Sequence, residues 1–149
     1  MENSRITRDA MLAEIVATVA KRSTCNRAQV GALIALDGRI LSLGYAGSPI
    51  GLPHCHDIGC LIDEHTGGCQ RTIHAEANTI AFAARNGIAI AGADLWCSYT
   101  PCLSCAKLIA NSGIKRLFCL KRYRDPAGVE LLGSVGISVQ IGTFEAPGT

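Results

Sequence analysis

The stretch His74-Ala75-Glu76, followed downstream by Pro101-Cys102-Leu103-Ser104-Cys105, is the part of this chain that best predicts its fold and chemistry. Together these segments supply an imidazole, two thiols and a carboxylate. His74, Cys102 and Cys105 can hold one Zn²⁺ and leave its fourth position open for water, which distinguishes a catalytic zinc from a structural one. The sequence therefore predicts a catalytic zinc site with the unligated carboxylate of Glu76 beside it.

The cysteine half of the motif is predicted to open a helix. Thr100 suits the N-cap and Pro101 the first helical position, and good helix formers continue until Gly113. Cys102 and Cys105 would then project from nearly the same face of that helix and chelate one ion. Thiols in a first helical turn face free N–H groups, which lowers their pKa and favours the thiolate form that zinc binds.

His74 and Glu76 are two residues apart, so a regular helix would point them to nearly opposite sides. They can converge only where the chain enters a helix, and the periodicity predicts such a helix over Ala75 to Arg85, ended by Gly87. His74 then lies at the mouth of the site, and Glu76 points past the metal to its water. The alternative for Glu76 is a first-turn carboxylate that only stabilises the helix dipole. The alternative for the metal site is a redox Cys-x-x-Cys pair formed by Cys102 and Cys105.

The composition indicates one compact domain over residues 1–149, with 48% hydrophobic and 17% charged residues. A net charge of +2 lacks the basic excess of a non-specific nucleic-acid binder, and the positive mean hydropathy indicates an oligomer surface. No apolar run is long enough to span a membrane, and the N-terminus has no signal-peptide layout, so we expect a cytoplasmic protein. There the eight cysteines are expected to serve metal sites and core packing rather than disulfides.

Hydrophobic periodicity predicts alternating helices and strands. The predicted elements are an amphipathic helix over Thr7 to Arg22, strands at Val30 to Leu36 and Arg39 to Tyr45 around the hairpin signal Asp37-Gly38, an irregular segment from Gly47 to Gly68, the Glu76 helix, a strand at Ala93 to Tyr99, the Cys102 helix, a strand at Lys115 to Leu120, a helix near Val129 to Leu132, a strand at Ile137 to Ile141 and a loose tail at 145–149. Their sum is an α/β fold, a three-layer α/β/α sandwich with a mixed five-stranded sheet.

These motifs resemble the cytidine deaminase superfamily, in which His-x-Glu followed by Pro-Cys-x-x-Cys is the zinc signature. The resemblance covers Arg22 to Ile141 and includes Val30-Gly31-Ala32, Gly44-Tyr45, residues 74–78 and residues 100–106. Within the superfamily the chain most resembles bacterial and phage deoxycytidylate deaminases, on Ser23-Thr24-Cys25, residues 44–49 and residues 69–74. This resemblance implies a cytidine deaminase-like fold and hydrolytic deamination of dCMP to dUMP and ammonia.

In the implied mechanism, zinc lowers the pKa of its water towards ~7 and Glu76 moves protons from that water to N3 of cytosine and to the departing amine. The substrate monophosphate needs cationic partners, for which Arg27 and the segment Lys121-Arg122-Tyr123-Arg124 are candidates. Each of these cations can also be a solvated surface charge. The predicted substrate contacts are Arg27, from this charge argument, and Asn78 and Tyr123, from the resemblance, which places Tyr123 over the substrate at the rim of the pocket.

Ala46 departs from the resemblance, because such deaminases usually carry Asn there, in a loop that helps to hold the sugar and, in regulated members, nucleotide effectors. An Ala side chain cannot form that hydrogen bond, so the sugar contact and control by dCTP or dTTP stay open. The alternative substrates are a modified dCMP, cytidine, guanine or a tRNA adenosine, and a non-catalytic zinc-binding module is the alternative of another class. The resemblance also implies a homo-oligomer, such as a hexamer.

A second, structural zinc is predicted, with four further cysteines as first-choice ligands: Cys25, Cys55, Cys60 and Cys69. The segment Gly47 to Gly68 has no obvious core of its own, and a metal would order it, as in some similar deoxycytidylate deaminases. His54 or His56 can replace one ligand, and free thiols with surface histidines are the alternative. The remaining pair, Cys97 and Cys119, is predicted to lie in the core.

Overall fold

A five-stranded mixed sheet forms the middle layer of the protein in the computed structural model, which describes residues 5–144. The strands are β1 Gly31–Leu36, β2 Arg39–Tyr45, β3 Asp94–Tyr99, β4 Arg116–Lys121 and β5 Ser138–Ile141, in the spatial order β2-β1-β3-β4-β5. β1 pairs antiparallel with β2 and β3, whereas β4 and β5 continue parallel to β3. The helices are α1 Arg8–Ala20, α2 Cys55–Ile58, α3 Ala75–Arg85, α4 Leu103–Asn111 and α5 Ala127–Ser134.

Helices cover both faces of this sheet, which confirms the predicted three-layer α/β/α sandwich. On one face Trp96 stacks on Phe118, with ring centroids 4.4 Å apart, and Leu12 of α1 packs against the pair. Helices α3, α4 and α5 cover the other face, where the predicted core residues Cys97 and Cys119 are fully buried. Neighbouring residues of a strand point to opposite faces, so Trp96 and Cys97 supply one side chain to each core cluster.

The β1–β2 hairpin turns at Asp37-Gly38, as predicted. Both residues have positive φ angles, 51° and 76°, which a two-residue type I′ turn requires and which Asp and Gly tolerate well. Gly31, the first residue of β1, meets a different constraint, because a Cβ there would lie 2.7 Å from both Val16 O and Ala20 N. The backbone of α1 therefore packs directly against the start of β1.

The start of α4 differs from the prediction. The assignment of Thr100 as N-cap and Pro101 as first helical residue is wrong, because α4 begins at Leu103 with Cys102 as its N-cap. The Thr100 hydroxyl has another partner and accepts a hydrogen bond from the Tyr123 N–H at 2.7 Å. The other helices and strands match the predicted bounds within two residues, α2 is a single turn inside the segment predicted to be irregular, and the predicted tail lies outside the described residues.

The topology brings both halves of the zinc motif to one edge of the sheet. Strands β3 and β4 are parallel, so their carboxyl ends meet at the same edge, where ligand sites of open α/β sheets form. The cysteine motif follows β3 directly, and the loop between β4 and α5 leaves the sheet beside it. Within residues 5–144 none of the helices is long and apolar enough to cross a membrane.

Gly128, near the start of α5, provides a test of how this edge is packed. A Cβ at Gly128 would lie 2.1 Å from Pro101 O and 3.0 Å from Cys102 O, whereas a Cβ at Gly133 of the same helix meets nothing within 4 Å. We expect Gly128→Ala to lower the free energy of unfolding by about 1–3 kcal/mol through overpacking. The control, Gly133→Ala, should be neutral or stabilise by up to about 1 kcal/mol, because Ala favours the helix. Urea unfolding of the zinc-loaded protein measures both, and equal midpoints for the two variants would contradict the packing described.

Candidate active site

The structure brings His74, Cys102 and Cys105 together. The His74 Nδ1 atom lies 3.5 Å from Cys102 Sγ and 3.4 Å from Cys105 Sγ, and all three donor atoms lie within 4.8 Å of one another. Bond lengths of ~2.1 Å to nitrogen and ~2.3 Å to sulfur at a tetrahedral angle place N and S about 3.5 Å apart. The spacing and the donor types of the three side chains therefore fit one Zn²⁺.

Two helix entrances hold these side chains. His74 is the N-cap of α3 and Cys102 is the N-cap of α4, and both have extended backbone. The prediction that both cysteines project from one helical face is therefore wrong, since only Cys105 lies within the first turn of α4. The thiols meet because an N-cap side chain lies beside the third helical residue, as in a capping box. Both helices direct the positive ends of their dipoles to the site, which favours thiolate ligands.

Hydrogen bonds among the three groups shift their pKa values in different directions. Hydrogen bonds with Cys105 and then with His74 lower the pKa of Cys102 to about 4. The pKa of Cys105 is raised, first by its hydrogen bond with Cys102 and then by burial, and the hydrogen bond with Cys102 raises the pKa of His74. Cys102 is therefore the most acidic of the three groups, and its thiolate is the form that zinc binds.

Glu76 lies beside these ligands but outside the cluster. Its side chain is only 5% exposed and lines the same cavity as His74 and Cys102. Burial raises the pKa of this carboxyl group, although the charge of His74 opposes the shift. A buried carboxyl group with a raised pKa that is not used as a ligand can accept and return a proton near neutral pH.

A cavity of about 490 Å³ opens above the cluster. The predicted substrate contacts Arg27 and Tyr123 line it, together with Arg122 and Arg124 from the loop after β4. Asn78 is not among the described residues of the cavity wall: its side-chain amide donates to the Tyr45 carbonyl at 3.0 Å. Two of the three predicted contacts, Arg27 and Tyr123, thus lie at the site. The third, Asn78, holds the backbone next to Ala46.

Ala46, Thr72 and Tyr99 also line the cavity. The sequence patterns did not point to Thr72 and Tyr99 as wall residues, although Thr72 lies two residues before His74 and Tyr99 two residues before Pro101. Their closeness to His74 and Cys102 in the chain was the available signal. Ala46 is 7% exposed and offers the cavity a methyl group only.

A second cluster joins the four cysteines predicted for it: Cys25, Cys55, Cys60 and Cys69. Their sulfur atoms lie within 4.8 Å of one another, with Cys25–Cys60 and Cys55–Cys69 separations of 3.7 Å and 3.6 Å. Tetrahedral zinc–thiolate geometry places sulfur atoms about 3.8 Å apart. Among the residues described, neither His54 nor His56 belongs to this cluster, so the predicted histidine replacement is not what the structure assembles.

The thiols of this second cluster differ in acidity. Burial raises the pKa of Cys55 to about 12. Burial also opposes ionisation of Cys69, but hydrogen bonds from the Arg71 and Leu61 N–H groups outweigh it and lower the pKa of Cys69 to about 7. Cys69 and Cys25 also line the cavity above His74, so the two clusters share one region of the fold.

Comparison with known proteins places this site in context. The family described as "cytidine and deoxycytidylate deaminase zinc-binding region" matches residues 6–121. The chain is 42% identical to ComE operon protein 2 of Bacillus subtilis over 82% of its own length and 64% of that protein. It is 34% identical to the deoxycytidylate deaminase of Enterobacteria phage T4, covering 85% of each. The match thus spans less than two thirds of the Bacillus protein but most of the T4 protein.

Solved structures include a similar protein with bound ligands. The dCMP deaminase of cyanophage S-TIM5 in complex with dCMP and dUMP superposes with a TM-score of 0.77 at 29% identity, covering 87% of this chain and 92% of that one. The match includes a sheet and helix arrangement like the one described here, which confirms the predicted cytidine deaminase-like fold.

Proposed function

The chain belongs to the family of cytidine and deoxycytidylate deaminases with a shared zinc-binding region, and on that premise we propose that it is a zinc-dependent hydrolase that deaminates dCMP to dUMP and ammonia. The observation that carries the proposal is the cluster of His74, Cys102 and Cys105 with the buried Glu76 in the same cavity. Two relatives support the substrate: the T4 protein is named a deoxycytidylate deaminase, and the cyanophage protein binds dCMP and dUMP.

Three side chains would hold the catalytic zinc, namely His74, Cys102 and Cys105. When bound, the ion supplies a polarised water molecule whose pKa falls to ~7. The chain contributes the two helix entrances that fix the ligands, and it supplies no fourth ligand from among the described residues of this cluster. A three-ligand set is typical of catalytic rather than structural zinc.

Glu76 acts as the proton carrier of the reaction. Its carboxylate accepts one proton from the attacking water and delivers it to N3 of the cytosine ring as the water oxygen bonds to C4. It then takes the second proton from the hydroxyl group now on C4 and delivers it to the amine, which leaves as ammonia while the C4=O bond of dUMP forms. Its burial supports this role, because desolvation brings the proton affinity of the carboxylate closer to that of the groups with which it exchanges protons. A non-catalytic zinc module would have no use for a buried, unligated carboxyl group at this position.

Cationic side chains on the cavity wall support a nucleotide rather than a nucleoside as substrate. Arg27 approaches from the loop before β1, and Arg122 and Arg124 approach from the loop after β4. Arginine binds phosphate oxygens with paired, charge-assisted hydrogen bonds. Tyr123, 39% exposed at the rim, offers an aromatic face beside them. Asn78 supports the site through the Tyr45 backbone.

Ala46 limits the hydrogen bonds that the cavity wall can offer to a sugar or a nucleotide effector. Since this residue adds only a methyl group to the wall, a sugar hydroxyl must find its partner elsewhere. A modified dCMP is the alternative substrate. Control by dCTP or dTTP remains a prediction from the family resemblance. Cytidine and guanine offer the three arginines no phosphate to bind. The net charge of +2 lacks the basic excess expected of a protein that binds tRNA.

Two further features complete the proposal. The four thiols of Cys25, Cys55, Cys60 and Cys69 would hold a structural zinc that orders the chain between β2 and α3.

We also propose a homo-oligomer, because one short segment exposes several large apolar side chains: Ile50, Leu52, Ile58, Leu61 and Ile62. Exposed apolar surface of this kind is typical of protein interfaces.

The proposed function is tested by ammonia release from dCMP, dCTP, cytidine and cytosine. We expect dCMP to be the best of these substrates. Glu76→Gln should lose at least ~10²-fold in kcat, because the amide cannot carry a proton, while the zinc content stays that of the wild type. Undiminished turnover by this variant would remove Glu76 from the mechanism, and absence of ammonia release from dCMP by the wild type would reject the function.

Arg27 tests the phosphate contact. Arg27→Ala should raise KM for dCMP about tenfold or more, since a charge-assisted hydrogen bond is lost, and should leave KM for deoxycytidine almost unchanged. Arg85→Ala, at the exposed far end of α3, is the matched control and should alter neither constant. Equal effects of Arg27→Ala on nucleotide and nucleoside would count against the contact.

The second zinc is tested by metal analysis of the purified protein. We expect two zinc ions per chain in the wild type, and one in Cys60→Ser, which removes a thiolate from the four-cysteine cluster. Cys119→Ala, a core cysteine outside both clusters, should keep two ions. A single zinc in the wild type would reject the structural site.

A further inference from the structure

Thr100 joins the metal-binding segment to the loop above the cavity. It follows β3 directly, precedes Cys102 by two residues and is 3% exposed. Its backbone N–H donates to Lys121 O at 3.0 Å, and its hydroxyl oxygen accepts from the Tyr123 N–H at 2.7 Å. The backbone bond continues the β3–β4 pairing, and the side-chain bond extends it by two residues into the loop.

The loop that Thr100 holds carries several residues of the cavity wall. Arg122, Tyr123 and Arg124 line the cavity. They lie between the end of β4 and the start of α5, and all three are exposed. Arg124 also donates to Thr66 O at 3.5 Å, a long and exposed contact. The short, part-buried bond to Thr100 is therefore a stronger restraint on this loop than the contact at its tip.

Thr100 itself is rigidly placed. The sheet fixes its backbone on one side through Lys121. On the other side the next residue, Pro101, is fully buried, and α5 approaches its carbonyl so closely that a Cβ at Gly128 would lie 2.1 Å from it. The Thr100 hydroxyl therefore has a fixed position from which it can hold the loop of residues 122–124 in place.

We propose that Thr100 is a positioning residue that acts through Tyr123. Its hydroxyl fixes the Tyr123 backbone over the cavity and thereby sets the affinity for the nucleotide, while the reacting atoms are left to Glu76 and the metal ligands. This inference rests on the proposed function for its kinetic readout. The structural claim, that one hydroxyl orders residues 122–124, can be measured without any turnover.

Thr100→Val and Thr100→Ser form the matched pair of variants. Valine keeps the β-branched shape and removes the acceptor, whereas serine keeps the acceptor. In the zinc-loaded enzyme we expect Thr100→Val to raise KM for dCMP about fivefold, the factor that corresponds to one hydrogen bond, with kcat within about twofold and the zinc content unchanged. Thr100→Ser should restore KM to near the wild-type value. If the valine variant does not fold, Thr100→Ala is judged by the same criteria.

A mutant cycle separates positioning from general destabilisation. Since Thr100 acts by placing the side chains of residues 122–124, Thr100→Val should change KM by less than about twofold when Arg122, Tyr123 and Arg124 have all been replaced by Ala. A purely structural role would give the same factor in both backgrounds. An unchanged KM in Thr100→Val, or equal losses of kcat and zinc in the valine and serine variants, would overturn the proposal.

Amide hydrogen exchange provides the readout that does not depend on activity. Thr100→Val should speed exchange of the Tyr123 amide at least about tenfold while amides of β3 keep their protection, because only the loop restraint is lost. Unchanged exchange at Tyr123 would reject the inference even if KM rises. If the wild type fails to deaminate dCMP, the proposed function fails, and the exchange result alone decides the role of Thr100.

Discussion

The requirement that the imidazole nitrogen lie about 3.5 Å from each of two thiol sulfurs is the constraint on which the rest of the site depends. The fold meets it by ending β3 where α4 begins and by bringing the entrance of α3 to the same edge of the sheet. His74 and Cys102 are both N-cap residues with extended backbone. Their side chains can therefore point to one site, whereas regular helical spacing would direct them around the helix axis. The positive ends of two helix dipoles then favour thiolate ligands at the site, and the Cys105 N–H contributes to the lowered pKa of Cys102.

Close backbone packing makes this geometry rigid. Gly31 lets α1 contact the start of β1, and Gly128 lets α5 contact the carbonyl of Pro101, one residue before the first cysteine ligand. Neither contact leaves room for a Cβ. The metal ligands are therefore supported by strands and helices, while the wall of the cavity comes from loops that are tied down separately.

The two loop restraints have different chemistry. The four-thiol cluster holds the chain between β2 and α3 and reaches the cavity through Cys25 and Cys69, so a metal there would order part of the cavity wall. Ser23 closes the loop that carries Arg27, because its hydroxyl bonds both the N–H and the carbonyl of Val30. Thr100 ties the opposite wall to β3. The wall of the cavity is thus held by hydroxyl and thiol groups as well as by the sheet.

The sequence by itself determined what depends on short-range periodicity and donor chemistry: the bounds of α3, the Asp37-Gly38 hairpin, the layered fold and the membership of the two clusters of thiol and imidazole side chains. Only the tertiary structure decided which partner each polar group takes. Thr100 has the side chain of an N-cap, yet it bonds Tyr123, and Asn78 bonds the Tyr45 carbonyl. Local spacing fixes what a residue can bind, whereas the choice among partners 23 or 33 positions away depends on how strands and helices pack.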